Sequence, residues 1–449
     1  MSLVSHARHT FGEAAAPAGV RRRREPPALV RRSRILYVSG TPLVPSKLGP
    51  ARRNHHMLEQ LSRFYDVAAI TVGGPQDREL LAAAFGDRIR QLTVVPSHVG
   101  PPLKFVRKAW RTALGKCDFL PVLEPELQRA CRALRFSQPY DAIVLSSLLL
   151  CSLHLPAHVP VVADTHNAEF DIHRRTAAVA DDILRRWYSA RQAPSTRADE
   201  RRCGIRARLV LATSERDRDL FQSELGIRHV AVVPNGIDLR EFTPAGPSIA
   251  PVILFTGLLS YYPNQQGVRW FLDQVFPRVL EQVPNARVVV AGAAPPQWLL
   301  SRRSARVEVT GEVTDMCPYI RSAAAVIAPL MIGGGTRVKI LEAQAMARPV
   351  VSTTIGAEGL LQRPGDTLLI ADDADTFGRQ LVRVLTTPPE AHALALRGRA
   401  HVVGLFDWDR IGDRLNQLLG MRLGLLGWSG GDRAHRLSSV SDLPALRAS

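Results

Sequence analysis

The feature that most constrains this chain is an alternation of short β-rich runs with helical stretches, repeated in two series. The first series opens with Arg34-Ile35-Leu36-Tyr37-Val38-Ser39-Gly40, an apolar run closed by glycine, the form of a strand buried on both faces. Met57, Leu58, Leu61 and Phe64 then recur at helical spacing over residues 52–64. Further strands are expected at 67–72, 89–95, 142–146, 159–164, 209–213 and 230–233. Residues 243–251, rich in Pro and Gly, read as a linker. The second series starts at 252–257 and continues through 287–291, 307–310, 325–328, 350–352 and 367–370. Strands separated by helices return to the same edge and so run parallel, with helices on both faces. The expected fold class is therefore α/β, with two Rossmann-like domains. Ligands of such sheets lie off the carboxyl ends of the strands, so two facing halves enclose a cleft. The expected division is a basic, disordered tail over 1–33, a first domain over 34–242 and a second over 243–404. A helix over 405–420 is expected to cross back to the first domain, with a loose tail over 421–449.

A chain of 449 residues fits two or three domains. No apolar run reaches the ~18–20 residues that span a bilayer, and residues 142–155 carry serines that suit a strand and turn. Arg21, Arg22, Arg23 and Arg24 are followed by Pro26-Pro27 rather than an apolar segment, which excludes a secretory signal there and makes a cytoplasmic location the expectation. Cys117, Cys131, Cys151, Cys203 and Cys317 lie far apart with no C-x-x-C pair, so neither a disulfide framework nor a zinc site is expected. The net charge of +17 is uneven. Residues 1–240 hold 37 Lys and Arg against 23 Asp and Glu, a surplus of 14, and the remainder holds 21 against 18, a surplus of 3. A basic half beside a near-neutral half suits an anionic partner: lipid headgroups, phosphorylated substrates or nucleic acid. Solubility alone is the plainer account. No RNA- or DNA-binding module is recognisable, so no nucleic-acid partner is expected.

The most informative segment runs from Pro329 through Gly333-Gly334-Gly335-Thr336-Arg337-Val338-Lys339 to Glu342-Ala343, after an expected strand and into an expected helix. Three glycines let backbone approach a ligand closely. Thr336 is placed to cap the helix. The helix start favours an anion, and Arg337 and Lys339 add positive charge in the same turn. A diphosphate fits this pocket, although a Walker loop is absent.

That segment, continued as Ile340-Leu341-Glu342-Ala343-Gln344-Ala345-Met346-Ala347-Arg348-Pro349, resembles the donor-binding signature of family 4 (group 1) glycosyltransferases of the GT-B fold. Pro234-Asn235-Gly236-Ile237-Asp238, Thr256-Gly257 with Tyr262-Pro263-Asn264, Thr310-Gly311-Glu312-Val313, Ala357-Glu358-Gly359-Leu360 and Asp164-Thr165-His166-Asn167 resemble other family segments in matching order. The resemblance covers roughly residues 34–420. It implies a retaining transferase that moves a sugar from a UDP- or GDP-sugar to a cell-surface glycan or lipid-linked acceptor. It places Gly49, Gly333, Gly334, Gly335, Thr336, Arg337, Lys339, Leu341 and Glu342 at the donor, with Glu342 accepting from the ribose hydroxyls. Arg337 and Lys339 would neutralise the departing diphosphate, and His166 would stand near the transferring sugar or the acceptor. No metal and no cofactor beyond the sugar nucleotide are implied. A sucrose-type synthase, an epimerase or a non-catalytic nucleotide-sugar binder on the same fold are the alternatives.

Two departures stand out. Many family members carry a Glu at the position of Gly334, so that contact with the transferred sugar is missing here or left to backbone. The family's G-R-x…K-G phosphate pair is replaced by Gly257-Leu258-Leu259-Ser260. Asp164 reads equally as a structural acceptor or a catalytic group, and Arg52 and Arg53 as contacts for a phosphorylated acceptor or as solvated charges. Residues 103–116, with Trp110 among basic residues, form a basic amphipathic helix candidate, and Leu184-Arg185-Arg186-Trp187-Tyr188 repeats its chemistry. Both suit an anionic membrane surface, hence a peripheral position on the inner face of the plasma membrane.

Overall fold

The computed structural model describes residues 31–44, 49–96, 110–112, 114, 124–135, 139–248 and 250–427. All but the last three residues of the expected tail over 1–33, most of the 103–116 helix and most of the 421–449 segment therefore lie outside the described residues, as does Cys117. The other four cysteines are buried free thiols.

The first series folds into seven strands, β1 (Arg34–Val38), β2 (Asp66–Val72), β3 (Ile89–Val95), β4 (Ala142–Leu145), β5 (Val161–Asp164), β6 (Leu209–Ala212) and β7 (Val230–Val232). Their order is β3-β2-β1-β4-β5-β6-β7, with parallel pairing throughout. The second series gives β8 (Val252–Thr256), β9 (Arg287–Ala291), β10 (Val307–Gly311), β11 (Ala325–Ala328), β12 (Val350–Ser352) and β13 (Leu369–Ile370), ordered β10-β9-β8-β11-β12-β13 and also parallel. Each sheet reverses its winding once, between β1 and β4 and between β8 and β11. Such reversals open a crevice at the strand ends, and the cleft residues gather there.

Alternate side chains of one strand feed two cores, because successive residues point to opposite faces. In β1, Leu36 and Val38 join one apolar cluster and Ile35 and Tyr37 another. In β8, Ile253 and Phe255 face one core while Leu254 enters the opposite one.

The helix Pro388–Leu405 closes the second half, and the chain then crosses back. Ile237 N–H donates to Phe406 O at 2.7 Å, and Asp407 caps the last helix, Trp408–Leu423, by accepting from Asp409 N–H. Trp408, Ile411, Leu415 and Leu419 pack into the cluster that holds Met57, Leu58 and Leu61 of the helix Gly49–Phe64. Gly236 permits the crossing, since a Cβ there would lie 2.7 Å from the Trp408 ring. Beyond the helix, Leu426 N–H donates to Ser33 Oγ at 2.8 Å.

Candidate active site

β11 ends at Ala328, and the glycine loop carries the chain to the helix Val338–Ala345. Thr336 does not cap that helix. Arg337 occupies the cap position, and no side chain bonds the first turn. The helix begins one residue late because the Thr336 hydroxyl is held elsewhere: it donates to Thr213 O at 3.1 Å and accepts from Asn235 N–H at 3.3 Å. Thr336 thus ties the loop to the first half. Gly335 has φ +63°, and a Cβ there would lie 2.4 Å from His166 O. Glycine is required at this position by conformation and by contact. Gly333 O accepts from Arg175 Nη1 at 3.1 Å. The loop therefore rests on the first-domain segment that follows β5.

Arg337 is buried, and its guanidinium donates to three carbonyls: Gly334, Gly335 at 3.0 Å and Ile355 at 3.1 Å. Its Nε has no hydrogen-bond partner. Lys339 Nζ donates to Asn264 Oδ1 at 3.0 Å and stands 3.9 Å from the Phe255 ring centroid. Burial, reinforced by the neighbouring Arg337 charge, lowers the Lys339 pKa to about 7, against the pull of Glu342. Burial also lowers that of Arg337. Among the described residues neither cation forms an ion pair; Glu342 and Glu358, whose charges act on them, are paired with Arg52 and Arg175 instead. Enclosed charge without a counter-charge is unfavourable, and an anion would relieve it.

Glu342 is buried, and its Oε1 accepts from Arg52 Nη1 at 2.5 Å. Arg52 also reaches Glu241 Oε2 at 3.3 Å and lies over the Phe242 ring at 5.2 Å. Burial raises the Glu342 pKa, and Arg52 opposes that rise. Arg53 sits one position on and takes a different environment. It grips Asp164 through two bonds of 2.8 and 2.6 Å and donates to Asn235 Oδ1 at 3.0 Å and Val233 O at 2.9 Å. The pair is essentially unexposed, 1% and 0%. Arg52 stays 22% exposed beside Glu342, whereas Arg53 meets neither solvent nor an open position, and Asp164 serves it as a buried acceptor. Burial forces this, because neither charge could stay enclosed without the other. A further pair crosses the cleft, Arg175 holding Glu358 at 2.9 and 3.0 Å, while within the first half Arg216 holds Asp171 at 2.7 Å.

His166 is half-buried two positions beyond β5. Burial and the Arg53 charge push its pKa down to about 3, against a backbone bond to Ser146. The imidazole is neutral at physiological pH, suited to hydrogen bonding and poor at taking a proton. Gly49 opens the helix Gly49–Phe64 and lines a small recess with Arg52, Asn235, Asp238 and Val338; a Cβ there would meet nothing within 4 Å. Leu341 departs from the expected donor set: its side chain is fully buried with Leu254, Val326 and Phe406. The turn that aims Glu342 at the cleft sends its predecessor into the core. Arg52 as partner of Glu342, Asn264 as partner of Lys339 and Arg175 as support of the loop were not foreseen. Of these, only Asn264 belonged to a quoted segment.

A family model described as "Glycosyltransferase Family 4" matches residues 48–241, and one described as "Glycosyl transferases group 1" matches residues 250–387. A Corynebacterium glutamicum protein named GDP-mannose-dependent monoacylated alpha-(1-6)-phosphatidylinositol monomannoside mannosyltransferase is 27% identical over 50% of this chain and 65% of its own length. The chain thus spans just under two thirds of that relative. The phosphatidyl-myo-inositol mannosyltransferase of Mycobacterium leprae is 25% identical over 76% of this chain and 91% of its own. Among solved structures, a sucrose-phosphate synthase from Thermosynechococcus elongatus superposes with a TM-score of 0.69 at 18% identity, covering 88% of this chain and 100% of that one.

Proposed function

Because the chain belongs to the family 4, group 1 glycosyltransferases of the GT-B fold, we propose that it transfers a hexose from a nucleotide-sugar to a lipid-linked acceptor with retention of configuration. The observation that carries this reading is the pair of enclosed cations, Arg337 and Lys339, on a glycine loop that faces the first domain without a carboxylate partner. A diphosphate would supply the missing charge. The same two groups would stabilise negative charge as the sugar bond breaks, where fixed cations in a dry site act most strongly. Glu342, with Oε1 held by Arg52, would offer its second oxygen to ribose hydroxyls. Neutral His166 would hydrogen-bond near the transferring sugar. The scheme assigns no step to a metal ion, so transfer should persist in EDTA. The names of the two mannosyltransferase relatives favour GDP-mannose among the possible donors and an inositol phospholipid as acceptor.

Thermal shift with GDP, UDP, GDP-mannose and UDP-glucose tests the donor assignment. A ligand of the folded state at 100 times its Kd stabilises by about 2.7 kcal/mol, and the guanosine compounds should do so. Transfer of labelled mannose to phosphatidylinositol lipids, with the product's anomeric form read by NMR, tests the rest. Stabilisation by none of the four ligands would overturn the reading, and binding without transfer to any lipid would leave a nucleotide-sugar binder.

A lipid acceptor requires the cleft to meet a bilayer, and among the described residues no helix is long and apolar enough to cross one. The helix Ile183–Arg206 begins with Ile183, Leu184 and Trp187 exposed at 78%, 76% and 53%. These flank Arg185, whose guanidinium lies 4.3 Å over the Tyr262 ring of the second half, so the patch borders the cleft. Gln192 of the same helix donates to Thr112 Oγ1 at 2.9 Å, bringing the segment of exposed Trp110 alongside. Apolar side chains among arginines fit an anionic lipid surface. Changing Ile183, Leu184 and Trp187 together to Ser should abolish co-sedimentation with anionic liposomes and leave nucleotide binding unchanged. Undiminished sedimentation would place the membrane contact elsewhere.

A further inference from the structure

Position 334 lacks the carboxylate that the family resemblance leads one to expect, and the structure shows what faces that gap. A Cβ on Gly334 would point into the first domain, 2.8 Å from Ile172 Cδ1 and 3.4 Å from Asn167 Cβ and Oδ1. Two residues beyond Asn167, Glu169 opens the helix Glu169–Val179. Its Oε1 accepts from Asn167 Nδ2 at 3.2 Å. Among the described residues this is the side chain's single hydrogen bond, and it forms no ion pair.

Glu169 is not needed to cap its own helix. Glu200 does that, its two oxygens accepting from Glu169 N–H at 2.9 Å and Phe170 N–H at 3.1 Å. Burial and the nearby Asp217 charge raise the Glu169 pKa, while Asn167 opposes the rise. Burial raises the pKa of Tyr261, from the second domain; the Glu169 charge adds to the rise and the Arg337 charge opposes it. Glu169 is therefore a mostly enclosed carboxylate one hydrogen bond away from the Asn167 that faces Gly334, with acceptor capacity to spare.

We propose that Glu169 supplies from the first domain the carboxylate that position 334 lacks, and accepts hydrogen bonds from hydroxyls of the transferred sugar. The proposal rests on the donor assignment above. A carboxylate offers two oxygens to vicinal hydroxyls, and an enclosed carboxylate with a single donor gains from a ligand that brings more. Because the group comes from the opposite half, the sugar is read only when the cleft is closed, as it is here with Gly335 against His166 O.

Titration calorimetry with GDP and GDP-mannose on wild type and Glu169→Gln separates the possibilities. GDP has no sugar to read, so its affinity should stay within about twofold. Loss of a hydrogen bond to a charged group should weaken GDP-mannose by ~10–100-fold. Equal losses on both ligands, or on neither, overturn the proposal. Donors lacking single mannose hydroxyls, titrated against wild type and Glu169→Asp, give a second measure independent of how the Gln variant folds. At least one deoxy donor should bind weakly to wild type and be indifferent to the Asp change. If every deoxy donor remains as sensitive to that change as GDP-mannose, Glu169 does not touch the sugar. A wild type that binds neither GDP nor UDP defeats the donor reading itself, an outcome distinct from all of these.

Discussion

Changing Arg337 and Lys339 together to Ala is expected to weaken nucleoside diphosphate binding by ~100-fold or more, as loss of two charge-assisted contacts implies, while the protein stays folded. Among the described residues neither side chain holds a carboxylate, so their removal leaves no counter-charge stranded. The binding should also depend on pH in a defined direction. Lys339 has a pKa of about 7 in the folded protein against 10.5 for a free lysine. Below about 7 it is charged in both the folded and unfolded states, and its burial penalty is fully present. Between about 7 and 10.5 the unfolded chain holds a proton that the folded one has released, so this group makes stability rise with pH across that window. A bound diphosphate restores the charge. Binding at pH 8 should therefore take up close to one proton, and affinity should fall as pH rises above about 7. Calorimetry in buffers of different ionisation enthalpy reads that proton directly. Lys339→Ala alone should eliminate the uptake. Wild-type affinity in the double variant would remove the diphosphate from this loop.

Asp164→Ala is expected to lower unfolding stability by about 3–5 kcal/mol, the usual penalty for leaving one member of a buried ion pair alone. Arg53 would keep only Asn235 and Val233 O as partners. Replacing both members, Arg53→Met with Asp164→Leu, should recover most of the loss, because well-packed apolar pairs often match buried ionic ones. Urea denaturation measures both. A stable Asp164→Ala protein with no activity would instead make Asp164 a catalytic group.

The strands were legible because most are buried on both faces, which leaves a run of Val, Ile, Leu and Ala that few other environments produce. Their ends moved by no more than two residues, as at β5, expected from 159 and observed from Val161. The helix Gly49–Phe64 starts three residues before the 52–64 span expected from its apolar spacing, since Gly49 and Pro50 are exposed. What could not be read was the traffic between halves. Arg52 and Arg53 are neighbours on one helix, yet one pairs with Glu342, 290 positions away, and the other with Asp164, 111 positions away. Thr336 looked like a cap because a hydroxyl before a helix normally serves one, and only the second sheet's placement reveals Thr213 O as its true partner. The gap at Gly334 was visible, while the group facing it depended on how β5 and its following turn meet the glycine loop.

The return of the last helix to the first sheet has a consequence for how the chain is made. A ribosome that has finished the first seven strands has not yet synthesised Trp408, Ile411, Leu415 and Leu419, which cover Met57, Leu58 and Leu61. At about 5–20 residues per second, that apolar face waits roughly ten to forty seconds for its cover. The second half needs no such wait, since its strands and covering helices precede the crossing. Assembly is thus inverted relative to translation: the later-made half completes first, and the earlier-made half closes only when the helix Trp408–Leu423 arrives. Premature termination before Trp408 would release a protein with a finished donor half and an unfinished first half, a ready substrate for chaperones and proteases.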